Sequence, residues 1–303
     1  MPDKADNQKN HEVSIDILLN FNKIMATVKI TAKDVKALRD QTGAGMMDCK
    51  KALVEANGDI EGAISYLRKK GQKMTDKRAD RDAKEGIVVA VTSDDNTKGI
   101  IIRIGCETDF VAKNDDFVAF AKSVAAKAMT EFAATKEDLL AVTMDGQTIA
   151  DKLIERTGVI GEKIELAAYE KLEAAQVVPY IHMGHKAGVI VAFNKANDSL
   201  AEAGRNVAMQ IAAMHPIAVD KDGIDATMVE KEIEIGKEQA RQAGKPEAML
   251  EKIAQGKLGK FYKEKTLLNQ EYVKAEKKET VKQYVQSIDK ELTVTDFKHV
   301  TLG

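Results

Sequence analysis

The sequence predicts an α+β protein. The layout read from it is an N-terminal three-helix module, a core of duplicated strand–strand–helix units, an antiparallel helical hairpin and a short C-terminal module. Three observations lead there. β-branched runs with turn signals between them, GIVVAVTS (86–93) and KGIIIRIG (98–105), make a hairpin. Capped segments of helical period stand on both sides of that hairpin. A second copy of the pattern follows: KAGVIVAFNKANDSLAEAGRNVAMQIAAMHP repeats the order of KGIIIRIGCETDFVAKNDDFVAFAKSVAAKAM, with a basic residue and glycine, an aliphatic strand, a polar loop and an alanine-rich helix.

The elements follow in order. Residues 1–24 are polar up to a small amphipathic patch, Ile15 to Phe21, and lack the basic start and cleavage site of a signal peptide. They read as an unstructured, dispensable extension, because MATVKITAKDV from Met25 resembles an ordinary protein start. Residues 25–71 form the three-helix module. Thr31 and Asp34 make a capping-box start, Thr42-Gly43-Ala44-Gly45 breaks the first helix, Asn57-Gly58 ends the second and Asp59 caps the third. Residues 72–85, charged and nearly without apolar side chains, read as a linker or a solvated helix.

The first half of the core spans 86–157, with a helix from about Asn114 whose apolar face is Phe117, Phe120, Ala121 and Val124. The second half spans 158–224, with strands at 163–170, 176–182 and 188–194 and a helix at 199–216. Residues 225–275 form the helical hairpin, turning at Gly244-Lys245-Pro246. Residues 276–303 close the chain with a helix, KKETVKQYVQSI, and a strand.

Composition narrows the function. Lys+Arg total 46 against 48 Asp+Glu, a net charge of -2, so the balance supplies no general attraction to nucleic acid or to an anionic membrane. No apolar run reaches the roughly 18 residues of a membrane span. Cys49 and Cys106 lie in unrelated contexts, which disfavours a disulfide framework or a zinc site and fits a cytoplasmic protein. The sequence lacks GxSxG, HExxH, a P-loop and a strand-borne GxGxxG, so no catalytic residue, metal or cofactor is assigned. His182 and His185 read as turn residues. Glu107, Asp109, Asp115 and Asp116 offer oxygens for a hard cation, but Asp115 and Asp116 suit the first turn of a helix.

The residues that ask for an explanation are Glu107-Thr108-Asp109-Phe110, between a buried strand and a helix. The second copy carries Asn194-Lys195-Ala196 there, so the unit closes without the acidic–aromatic knot. Phe110 either staples the new helix to the sheet or is presented to a partner. Met46 and Met47, beside a Gly-Ala-Gly turn, fit a core or an adaptable contact surface, and Lys50 and Lys51 a solvated face.

RDQTGAGMMDCKKALVEANGDIEGAISYLRKKG (39–71) and TDFVAKNDDFVAFA (108–121) resemble two hallmark motifs of the translation elongation factor Ts family. YIHMGHKAGVIVA and GKPEAMLEKIAQGKLGKFYKE resemble its core and coiled coil, so the likeness covers about 26–303. YIHMGHKAG differs somewhat from the family's common histidine–glycine turn, which leaves the role of His185 open. The resemblance implies a guanine-nucleotide exchange factor that binds elongation factor Tu, GDP-bound and nucleotide-free, and contacts neither nucleic acid nor membrane. It further implies that the N-terminal module is ubiquitin-associated-like. Thr108, Asp109, Phe110 and Val111 are then the residues that disturb the partner's Mg²⁺ and phosphate site. Met46, Met47, Lys50, Lys51 and His182 are docking residues. Two other readings stand beside it: an adaptor whose helical module binds unrelated helices, and a small-ligand enzyme using His182 and nearby acids.

Overall fold

A computed structural model describes residues 29–303, and the expectations for residues 1–24 lie outside them. The chain mixes helices with small antiparallel sheets and divides into two compact units. Of the described residues, one unit holds those up to Arg78 together with Ile154–Gly161, and the other holds Ala79–Leu153 and Glu162–Gly303.

The first unit begins with α1 (Ala32–Thr42), α2 (Met46–Glu55) and α3 (Ile60–Lys77). Thr31 and Asp34 form the expected reciprocal capping box, and Gly43 ends α1 in the left-handed region at φ 70°. Leu38, Cys49, Ala52, Leu53 and Ala63 make its centre, and the Cys49 thiol donates to the Ala44 carbonyl. Of the stretch read as a linker or a solvated helix, the part through Lys77 is helix, as α3 continues into it.

The sequence also did not place a fourth segment in this unit. It is the end of α7 (Ile149–Ile160), which lies against α3 where both chains carry glycine. A Cβ on Gly158 would come within 2.9 Å of the Gly71 Cα, and one on Gly71 within 2.7 Å of the Ile154 carbonyl oxygen.

In the second unit, β1 (Glu85–Thr92) and β2 (Lys98–Cys106) form the expected hairpin, followed by the short helix α4 (Asp109–Ala112) and by α5 (Asp115–Glu131). A small helix α6 (Lys136–Ala141), two-residue strands β3 (Thr143–Met144) and β4 (Gln147–Thr148), and α7 come next. β5 (Glu165–Glu173) then pairs with β2, giving the sheet order β1-β2-β5. The first sheet therefore takes its third strand from beyond the expected division at 157/158. In this pairing Ile102 of β2 lies opposite Tyr169 and Gly105 opposite Glu165.

The pattern recurs. β6 (Gln176–His182) and β7 (Ala187–Phe193) form a hairpin followed by α8 (Leu200–Met214). The third strand, β8 (Val294–Thr301), arrives from the end of the chain to pair with β7. The last residues thus complete the second sheet.

The two sheets share an apolar layer of Val88, Ile101, Leu172, Val177, Ile190, Ala192 and Val300. They come close enough that a Cβ on Gly188 would lie 2.8 Å from a Val88 methyl. On the outer face of the first sheet Phe117, Phe120, Ala121 and Val124 of α5 are buried, as their spacing predicts. On the outer face of the second, α8 buries Leu200, Val207 and Ile211 against Val189, Val191 and Phe193.

Between α8 and β8 runs the helical hairpin, α9 (Ala226–Gln242) and α10 (Glu247–Lys265), then α11 (Val281–Ile288). Gly236 of α9 sits against Ala254, and Lys237–Glu251 and Arg241–Glu247 ion pairs link the two helices at 2.8 and 3.1 Å.

Candidate functional site: a clamped turn that exposes Phe110

β2 delivers the chain from its buried end at Cys106 into Glu107, and α5 begins at Asp115. Asn114 caps α5, accepting hydrogen bonds from the amides of Asp116 (2.9 Å) and Phe117 (3.2 Å). Asp115 and Asp116 are its first-turn acids, as expected. The intervening residues turn in α4, which has only four residues and which Thr108 precedes without a side-chain cap.

The Thr108 hydroxyl is used elsewhere. It donates to Oε1 of Glu162 at 2.7 Å, while the amides of Glu107 and Thr108 donate to Oε2 of the same carboxylate at 3.1 and 3.0 Å. The exchange is reciprocal, because Oε1 of Glu107 accepts from the Lys163 amide at 2.7 Å. Beneath the turn, the Cys106 thiol donates to the Thr108 carbonyl at 3.2 Å, and burial, with a smaller contribution from the Glu162 charge, pushes that thiol up to about 12. It is a packing group and not a nucleophile at neutral pH.

Phe110 stands at the top of this turn with 83% of its surface exposed, whereas Phe117, one short helix further on, is 2% exposed. Val111 is half-buried beside it. Asp109 forms an ion pair with Lys113 at 2.6 Å, and that bond holds its carboxyl below the usual carboxylate range. A phenyl ring left in water by a turn with this many tethers is held out and not packed in. Among the described residues little covers its apolar surface, so burial against another molecule would be favourable. The alternative of a staple onto the sheet does not hold for Phe110.

The other singled-out residues lie in two places. Met46, Met47, Lys50 and Lys51 are all exposed on α2 in the first unit, with Val54 continuing the surface. His182 ends β6 in the second unit, partly exposed, and its Nδ1 lies 2.8 Å from the Tyr180 hydroxyl. His185 acquires a structural role. It sits in the β6–β7 turn, where Met183, Gly184 and His185 are all left-handed. Its carbonyl accepts from the Val88 amide at 2.8 Å and its Nδ1 lies 2.9 Å from the Val88 carbonyl, so the turn pairs with the edge of β1. Sequence reasoning missed Glu162 and Lys163, whose contacts to Glu107 and Thr108 span more than 50 residues and leave no local pattern.

Among the described residues no group of three or more His, Cys, Asp or Glu side chains could hold a metal, and no helix is long and apolar enough to cross a membrane. In one unit an aromatic stands exposed on a tethered turn, and in the other a helix face exposes two methionines and two lysines.

Comparison with known proteins gives the family. The family described as Elongation factor TS matches residues 107–303. The chain is 53% identical over 275 residues to Elongation factor Ts of Christiangramia forsetii, covering 91% of this chain and 99% of that protein. It is 54% identical over 279 residues to Elongation factor Ts of Flavobacterium psychrophilum, covering 92% and 100%. With Elongation factor Ts of Chlorobium phaeobacteroides the identity is 41% over 285 residues, covering 91% and 99%. The chain belongs to the elongation factor Ts family.

Proposed function

We propose that this protein is a guanine-nucleotide exchange factor for elongation factor Tu in translation elongation, acting by pressing Phe110 into the partner near its Mg²⁺ and phosphate site. The observation that carries the reading is the exposure of Phe110 on a turn tethered by Glu162. Mg²⁺ demands near-ideal octahedral geometry at about 2.1 Å, so small displacements of its ligands weaken the hold on a diphosphate. A rigid aromatic wedged between partner elements supplies such a displacement without chemistry of its own. Asp109 and Val111 flank the ring, Thr108 anchors it, and the factor itself hydrolyses nothing.

The face of α2 with Met46, Met47, Lys50 and Lys51 serves docking. Methionines adapt to a partner surface, lysines steer the approach to acidic groups, and nothing on this helix can reach a phosphate site alone. His182 is a second docking residue, at the end of the second sheet's hairpin.

Factor and nucleotide oppose each other through one coupling free energy, so each weakens the other's binding by the same factor. The test is binding measured both ways. The factor should bind nucleotide-free elongation factor Tu more tightly than the GDP–Mg²⁺ form, and GDP with Mg²⁺ should dissociate the complex. Equal affinity for the two forms would refute the reading, because a ligand without differential affinity shifts nothing.

A further inference from the structure

The turn that carries Phe110 is held from a distance by one carboxylate. We propose that Glu162 is a positioning residue for nucleotide release, setting the direction in which Phe110 is presented. The inference rests on the reading of Phe110 as a wedge and adds to it the group that aims it.

Three features assign this role. First, both carboxylate oxygens of Glu162 are engaged with the two residues that lead into α4. Oε1 takes the Thr108 hydroxyl, and Oε2 takes the amides of Glu107 and Thr108. Hydrogen bonds to an ionised acceptor are shorter and stronger than neutral ones. Three of them converging on a planar group fix the orientation of the Glu107–Thr108 peptide, from which Asp109 and Phe110 follow directly.

Second, Thr108 stands at the position before α4 where its hydroxyl would ordinarily accept from the helix's own amides. It makes no such bond, and its hydroxyl serves the Glu162 contact. The local cap is given up for a long-range tether.

Third, the tether is two-sided. Glu107 reaches back to the Lys163 amide, so two neighbouring residues on one segment hold two neighbouring residues on the other. Lys163 is itself secured, its ammonium donating to the carbonyls of Ala79 and Arg81 at 3.0 Å each. The platform is thus fixed to three stretches of chain before the ring meets any partner. A wedge that rotated freely would lose conformational entropy on insertion, whereas a pre-aimed ring delivers its contact energy to the partner.

The test uses the full chain and measures release of labelled GDP from elongation factor Tu over a range of factor concentrations. Glu162→Ala should slow release at saturating factor by about tenfold or more, and should leave the half-saturating concentration within about twofold, since docking lies elsewhere. Glu162→Gln should recover most of the rate. Its amide oxygen still accepts from both backbone amides, and its NH₂ donates to the Thr108 oxygen, which then acts as acceptor. Glu162→Asp, which keeps the charge but draws the carboxylate back by one methylene, should be slow. It also serves as the second reading if the alanine variant does not fold.

In the Phe110→Ala background, Glu162→Ala should add nothing further, because there is no ring left to aim. Wild-type release by Glu162→Ala and Glu162→Asp would overturn the proposal. So would a glutamine variant as slow as alanine, or a full additional loss on top of Phe110→Ala, which would mark a general structural role. A fast Phe110→Ala single variant would remove the wedge reading itself, and with it anything for Glu162 to position.

Discussion

Phe110→Ala and Phe117→Ala should separate stability from function. The residues lie on either side of one helix start, yet Phe117 is 2% exposed among Phe120, Ala121 and Val124, and Phe110 is 83% exposed. Truncating a buried phenylalanine loses the transfer energy of the ring and leaves a cavity, at about 3–5 kcal/mol. In a unit of this size each kcal/mol moves the midpoint of thermal unfolding by about 2–4 °C, so Phe117→Ala should melt at least about 6 °C early. Phe110 already spends the folded state in water, and truncation there should stay within about 0.5 kcal/mol. The order should reverse in the exchange assay. Phe110→Ala should release labelled GDP from elongation factor Tu slowly even at saturating concentration, while the folded fraction of Phe117→Ala should retain its rate. If Phe110→Ala melted as early as Phe117→Ala and kept its exchange rate per folded molecule, the ring would be a core staple and the reasoning would be refuted.

Two further outcomes follow from the packing and the charges. Gly158→Val should destabilise the first unit by about 1–3 kcal/mol, because the new side chain meets Gly71 where a Cβ alone would lie 2.9 Å from its Cα. Circular dichroism melting checks this, and an unchanged first transition would contradict the close approach of α7 to α3. His299 is the group to follow in acid. Burial, then the neighbouring charges of His215 and His182, hold it below its ordinary 6.5. The unfolded chain therefore takes up its proton first, so stability is fully present above 6.5 and declines as pH falls toward the depressed folded value. His299→Gln should flatten that part of a melting-temperature profile, and an unchanged slope would show that the decline comes from other groups.

Much of this architecture was legible in the sequence because the signals are local. The capping box at Thr31 and Asp34, the glycine stop at Gly43 and the apolar face of α5 each follow from a few neighbouring residues, and the structure has them where they were expected. What stayed hidden depends on distant pairing. β5 reads as a strand, but nothing within 165–173 says that its partner is β2 and not β6. The end of α7 joins α1–α3 through Val159 and a close approach of two glycines, a pairing of distant segments that leaves no local pattern to read.

The site divides the same way. Phe110 stood out because a phenylalanine beside an aspartate at a turn contradicts the ordinary grammar of a connection, and the second copy lacks it. Glu162 did not, since a glutamate just after Gly161 looks like any polar residue beyond a helix. His185, whose role the sequence left open, is legible only once the β6–β7 turn is seen against Val88 of β1.

On the proposed function this chain accelerates nucleotide exchange on elongation factor Tu. The most direct test is the release of labelled GDP from that protein, with excess unlabelled GDP present, as this chain is added. Release should accelerate with concentration to a plateau, by far more than tenfold over the spontaneous rate, with substoichiometric factor turning over repeatedly. Release at the spontaneous rate at every concentration of the folded chain would rule this out.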